Sequence, residues 1–292
     1  MSGRAKGIVA IVASAFGFAL MALFVRLCDD FGAEIPSFQK SFFRNAIALA
    51  IAAFVFVKES RGAEGRPALP ATASSWCVLT MRSVFGLIGI FANFYALSKI
   101  PIGEAMTLNK TAPFFTVFFS WLLLGERATP RQLAYLCLAF AGAMLVMKPG
   151  FRGEETFATV CALVGGLGAG LAYVCVHKLG REKVDGAFIV LFFSAFSCAG
   201  SLPFMVFDYH PMTLAQVLIL LGAGTGAAIG QFGVTAAYRF AEPRSIALYD
   251  YTSIVFTAMF GFAFFGQVPD IASIAGFLVI LFAAFRIARR TS

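Results

Sequence analysis

Several charges in this chain lie inside long apolar runs, where hydrocarbon would penalise them: Arg44, Arg82, Lys110 and Asp250, with Arg26 and Lys40 nearer the ends of their runs. A charge at bilayer depth costs about 2.5 to 3.5 kcal/mol or more, so such side chains face a partner or a wet cavity. Lys110 is flanked by Asn109 and Thr111, and Pro113 follows three residues later. The missing N–H and ring clash of Pro113 are expected to loosen the helix at that point. Asp250 is the only carboxylate deep in an apolar run, and Tyr249 and Tyr251 bracket it with hydroxyls. A lysine and a lone carboxylate can staple two helices, exchange partners, or hold a charged solute. Acid–base catalysis by the same pair lacks a neighbouring nucleophile.

The two residues are related by an internal repeat. Thr111-Ala-Pro-Phe-Phe115-Thr116-Val-Phe-Phe119, running on to Gly125-Glu126, returns as Thr252-Ser-Ile-Val-Phe256-Thr257-Ala-Met-Phe260, running on to Gly266-Gln267. The same shift takes Asn109 to Asp250 and Lys110 to Tyr251, so polar residues recur at equivalent places. Lys40 precedes Arg44 by one turn on the same face, and the two form an anion-attracting stripe. Arg44 also suits a structural tie to neighbouring carbonyls, and both readings stand. Arg82, Asn93 and Tyr95 share one run, but their spacing does not place all three on one face. His177, at a helix end, reads as a solvated histidine. No phosphate-cradling glycine loop, H-E-x-x-H or G-x-S-x-G is present, which argues against an ATP-driven pump and leaves no catalytic residue, metal or cofactor to assign.

The elements that position these residues follow from composition. With 60% hydrophobic residues and 13% charged, and a mean hydropathy of +0.84, the polar surface is too small to cover a soluble core of 292 residues. The lipid bilayer is the solvent. Charged and Pro/Gly clusters divide the chain into ten spans, at 7–27, 37–57, 75–98, 102–124, 131–148, 157–177, 186–207, 214–239, 244–265 and 269–288. With both termini placed in the cytoplasm, the inner segments hold Arg4, Lys6, Lys58, Arg61, Arg66, Arg127, Arg131, Lys178, Arg181, Lys183, Arg239, Arg244, Arg286, Arg289 and Arg290. The outer loops hold Lys99, Lys148 and Arg152, and the first outer loop is acidic, with Asp29, Asp30 and Glu34. The positive-inside rule therefore orients the chain. Five spans per half place the second copy upside down. The net charge of +8 is spread between apolar runs and suits anionic headgroups, not nucleic acid. The six cysteines lie in or at the ends of apolar runs and read as reduced packing residues. Glycines in spans 6 and 8 have the small-xxx-small spacing of close helix contacts.

On these residues the chain resembles the drug/metabolite transporter superfamily, specifically the EamA-type ten-span carriers. The likeness rests on Ser37-Phe-Gln-Lys-Ser-Phe-Phe-Arg44 opening span 2, Ala96-Leu97 closing span 3, and Pro113 through Leu124-Gly125-Glu126 in span 4. The resemblance implies a cytoplasmic-membrane carrier of small organic metabolites with a central cavity lined by both repeats. The second repeat departs from the family pattern, with Ile254 and Gln267 where a Pro and a Glu usually recur. The start of span 9 is somewhat similar to the branch that takes up S-adenosylmethionine, yet Asp250-Tyr-Thr-Ser stands where that branch has a basic residue and then a Glu. That substrate is not carried over.

The expectation is thus an all-α integral membrane protein of ten transmembrane helices in two inverted five-helix repeats, 1–150 and 151–292. It is a multi-pass protein of the inner membrane, monomer or homodimer. The leading function is secondary transport of an anionic or zwitterionic metabolite by alternating access, with the proton as candidate coupling ion. Lys110, Asp250, Arg44, Arg82, Asn109, Tyr249, Tyr251, Asn93 and Lys40 are the expected binding or gating residues. A broad-cavity multidrug or metabolite exporter and a non-transporting membrane protein are the rivals.

Overall fold

The computed structural model describes residues 3–33, 35–61, 68–100, 106, 108–147, 156–266 and 268–289. Glu34, Arg66, Lys148, Arg152, Gln267, Arg290 and the first residues of the expected fourth span lie outside them. The described chain is helical: α1 (Gly3–Asp29), α2 (Ser37–Ser60), α3 (Ala73–Lys99), α4 (Ala112–Leu124), α5 (Pro130–Met147), α6 (Thr156–Arg181), α7 (Gly186–Phe207), α8 (Leu214–Phe240), α9 (Thr252–Phe265) and α10 (Ile271–Arg289). One helical turn, Pro243–Ile246, and a 3-10 segment, Ala247–Tyr251, lead into α9. Among the described residues seven stretches, with Pro243–Phe265 counted as one, are long and apolar enough to cross a membrane. Ala112–Leu124, Pro130–Val146 and Ile271–Arg286 are shorter apolar helices. Large apolar side chains such as Phe54, Phe207, Leu214 and Phe282 are exposed on the outside of the bundle, as lipid contact requires.

The expected fourth and ninth spans are each interrupted, and at each interruption the repeated threonine bonds back into the preceding turn. Thr111 Oγ1 donates to Leu108 O at 2.5 Å, and its counterpart Thr252 Oγ1 donates to Tyr249 O at 2.7 Å. A hydroxyl that takes a carbonyl three residues back competes with the helical N–H for that acceptor. The second repeated threonine behaves alike in both halves, with Thr116 Oγ1 on Ala112 O and Thr257 Oγ1 on Ser253 O. Pro113 follows directly on the interruption at 110–111, as expected of a residue that loosens the helix, and sits in the first turn of α4 where its missing N–H costs nothing. The ninth span breaks without a proline at all. Both half-helices end on a left-handed glycine, Gly125 at φ 72° and Gly266 at φ 62°, a conformation that a Cβ would penalise.

Helix packing follows small residues, because apolar side chains gain nothing over lipid by meeting one another. The major antiparallel pairs are α1 with α8, α3 with α6, α2 with α7 and α5 with α10. A Cβ on Gly17 would lie 2.5 Å from Gly230 N, one on Gly168 2.6 Å from Phe85 O, and one on Gly276 2.5 Å from Gly142 O. The same pairs result when each helix is exchanged for the one five places along. Each half-helix also lies against the middle of a long helix from the other half. Phe256 of α9 meets Phe16 at the centre of α1, ring centroids 5.5 Å apart. Its counterpart Phe115 faces Gly170 near the centre of α6. The largest buried cluster joins Ile11, Leu79, Leu179, Tyr238, Tyr251 and Ile280 beside this crossing.

Candidate functional site

Because both half-helices start halfway along the bundle, their N-terminal ends meet there, and Lys110 and Asp250 lie at the junction. Lys110 Nζ donates to Asp250 Oδ2 at 2.9 Å and to Ser253 Oγ at 2.6 Å. Ser253 Oγ in turn donates to Asp250 O at 2.7 Å. Tyr251 OH donates to Lys110 O at 2.8 Å, so the residue occupying the repeat position of Lys110 holds the lysine's own backbone. The two charged side chains retain 14% and 11% of their exposure. Asn109 and Asn93 converge on α6: a Cβ on Gly165 would lie 2.8 Å from Asn109 Nδ2 and 3.1 Å from Asn93 Cβ. Asn93 Oδ1 is buried without a hydrogen-bond partner. Gly166 admits the interrupted segment itself, since its Cβ would come within 2.7 Å of Thr111 Oγ1 and 2.9 Å of Asn109 O. Tyr249 is placed elsewhere, its hydroxyl donating to Ala284 O on α10 at 3.0 Å.

A second charged group lies beside this one. Arg44 and Arg82 are 4% and 3% exposed, and Lys40 is buried one turn from Arg44. Arg82 Nη2 donates to Gln231 Oε1 of α8 at 2.8 Å, and its Cζ stands 3.5 Å from the centre of the Phe193 ring. Tyr173, stacked on Tyr238 at 5.1 Å, is within electrostatic reach of Arg44, Arg82 and Asp250. Of the three residues expected in span 3, Arg82 faces α7 and α8 and Asn93 faces α6, whereas Tyr95 is exposed and packs on Phe157.

The sequence reading missed a polar cluster at the C-terminal end of α4. His177 is buried rather than solvated, 6% exposed. Its Nδ1 lies 2.7 Å from Tyr238 O and its Nε2 3.0 Å from Glu126 Oε1, while Ser120 Oγ donates to Glu126 Oε2 at 2.6 Å. Arg181 approaches the same carboxylate at 3.6 Å. Both ring nitrogens lie within hydrogen-bond distance of an oxygen, which ties α6 to the carboxylate on one side and to α8 on the other. Glu126 was visible in the repeat motif; its partner on α6 had no local signal. Near the opposite end of the bundle a cavity of about 420 Å³ is lined by Met106, Ile254, Thr257, Asp270, Ser273 and Phe277. It reaches Ile254, the residue after Ser253.

Comparison with known proteins gives the family. Residues 5–148 match the EamA-like transporter family. The pseudopaline exporter CntI of Pseudomonas aeruginosa is 30% identical over 286 residues, covering 97% of this chain and 96% of that one. A riboflavin transporter of Brucella anthropi is 26% identical over 88% of this chain and 90% of its own. A solved structure described only as a crystal structure of protein superposes with a TM-score of 0.77 at 20% identity, covering 94% and 96% of the two chains, and supports the fold. The class is a multi-pass membrane transporter. Within it, the chain belongs to the EamA-like transporter family of the drug/metabolite transporter superfamily.

Proposed function

We propose that the protein is a secondary active transporter of a small anionic or zwitterionic organic metabolite, working by alternating access across the inner membrane. The observation that carries this reading is the junction of two interrupted helices at the Lys110–Asp250 pair, halfway along the bundle. Residues 1–150 and 151–292 act as repeats inverted about an axis through that junction, with both termini cytoplasmic. The exchange symmetry of the helix pairs supports this arrangement. In the state described, Glu126, His177 and Arg181 hold α4 to α6 at the cytoplasmic end. Rocking of the repeats breaks that contact and lets Lys110 and Asp250 exchange each other for solute groups. Proton uptake at one of these carboxylates supplies the coupling. Arg44, Arg82 and Lys110 against Asp250 set the preference for anionic over purely apolar solutes.

Untargeted mass spectrometry of solutes accumulated by sealed vesicles tests this reading and needs no candidate substrate. Wild-type vesicles are expected to accumulate at least one acidic or zwitterionic metabolite that vesicles carrying equally inserted Lys110→Met or Asp250→Asn do not. Identical profiles in all three would refute it.

A further inference from the structure

We propose that Arg44 and Arg82 form a binding site for two acidic groups of one solute, so that the transported class is a dicarboxylic organic acid. This inference rests on the transport reading and deepens it. Both guanidiniums are almost wholly buried, yet Arg44 Nε and Arg82 Nε and Nη1 have no hydrogen-bond partner among the described residues. Neither forms an ion pair with a described carboxylate. Arg44 and Arg82 lie within electrostatic reach of each other, and Tyr173 lies within reach of both. Two like charges therefore stand together in a protected place, with no carboxylate bonded to either among the described residues.

An arginine kept for structure spends its five N–H donors on carbonyls or carboxylates. Arg82 instead is held by two contacts that fix its plane, the Gln231 bond on one edge and the Phe193 face beneath it, with the other edge unengaged. A planar fork fixed in this way suits bidentate binding of a carboxylate. Further donors lie close by. In the antiparallel α2–α7 pair, Phe38 meets Phe204 and Phe56 meets Phe188, which brings Arg44 level with the turn between Ser197 and Ser201. Both serine hydroxyls are fully buried and unpartnered, as is that of Thr235, one turn beyond Gln231. The Lys110–Asp250 pair neutralises itself, so it cannot balance the arginines. Two positive charges call for two negative ones, and a dicarboxylate brings both in one molecule.

The test is thermal melting of the detergent-purified full chain with malate, glutarate or succinate, against chloride at matched ionic strength. The dicarboxylates are expected to raise the melting temperature in a saturable way at ~10 mM or below, and chloride is not. Arg44→Gln and Arg82→Gln should weaken the apparent affinity at least tenfold while melting, without ligand, at or above wild type, because each removes an uncompensated buried charge. Arg82→Lys, which keeps the charge without the fork, should also bind more weakly, and serves if the glutamine variant fails to fold. Equal effects of chloride, no shift in wild type, or full retention of the shift in the arginine variants each overturn the inference. If the shift is absent while Asp250→Asn still abolishes metabolite accumulation, the dicarboxylate site falls and the transport reading stands. A shift that persists in Asp250→Asn beside unchanged accumulation has the reverse meaning.

Discussion

Removing one partner of the Lys110–Asp250 pair should cost more than removing both. At 2.9 Å the Coulomb attraction is about 6 kcal/mol for an effective dielectric of ~20. Desolvation offsets part of it, and single deletions of buried pairs typically destabilise by about 3 to 5 kcal/mol. Ser253 and Tyr251 still brace the junction, and both side chains keep some exposure, so the lower value of ~3 kcal/mol applies. For a chain of this size that is a drop of roughly 5 °C in melting temperature. The two single variants should also differ. Asp250→Asn leaves an ammonium where two helix N-termini converge, whereas Lys110→Met leaves a carboxylate there, which the helix dipoles favour. Asp250→Asn should therefore melt lower, by the equivalent of about 0.5 to 2 kcal/mol. The double variant Lys110→Met/Asp250→Asn should return to within ~1 kcal/mol of wild type. Thermal unfolding of the four proteins in one detergent gives every quantity needed. Additive losses in the double variant, or Lys110→Met melting below Asp250→Asn, would refute the reasoning.

Gly166→Ala should destabilise by about 1 to 3 kcal/mol and reduce solute accumulation, because its Cβ meets the backbone of the Lys110 segment at 2.9 Å. Gly222→Ala, whose Cβ meets the Phe24 ring at 3.0 Å, should be milder, since a ring can turn; melting curves decide. Thr111→Val and Thr252→Val each remove a hydroxyl bond to a carbonyl three residues back and should lower stability by a similar ~1 kcal/mol, whereas a strong inequality would mean that the two interruptions have different causes. Glu126→Gln should loosen the α4–α6 contact. Maleimide labelling of Cys175, in a protein whose other cysteines are replaced, should then rise several-fold, and unchanged labelling would mean that the contact does not close that end.

Much of this architecture is legible in the sequence because a membrane leaves few ways to satisfy a backbone. Apolar runs of span length give helices, and the repeat brings Asn109-Lys110 opposite Asp250-Tyr251, from which the Lys110–Asp250 pair could be read. What escaped was set by contacts across the bundle. Arg82 finds Gln231 at a separation of 149 residues and His177 finds Glu126 at 51, and neither distance leaves a periodic trace. Tyr249, one residue from Asp250, turns to α10 because a 3-10 segment advances each residue by a third of a turn rather than 100°. Pro113 was legible as the site of the break, and it serves as the start of α4 as well. A proline marks a helix start as readily as a break, and only the position of the first N–H bond separates the two.

The two halves share the residues that shape the backbone and differ in those that carry charge. Thr111 and Thr252, Thr116 and Thr257, and Gly125 and Gly266 make the same bonds or adopt the same dihedral at both places. Asn109 against Asp250, and Lys110 against Tyr251, do not match. Two helix starts meeting head-on concentrate partial positive charge at one point, and a strictly symmetric pair of lysines there would repel. One carboxylate, contributed by one repeat, relieves that field and gives the lysine of the other repeat a partner it can release. The arginines have no such carboxylate partner among the described residues, and in the proposed mechanism the junction separates a charge that is already answered from two that a solute answers.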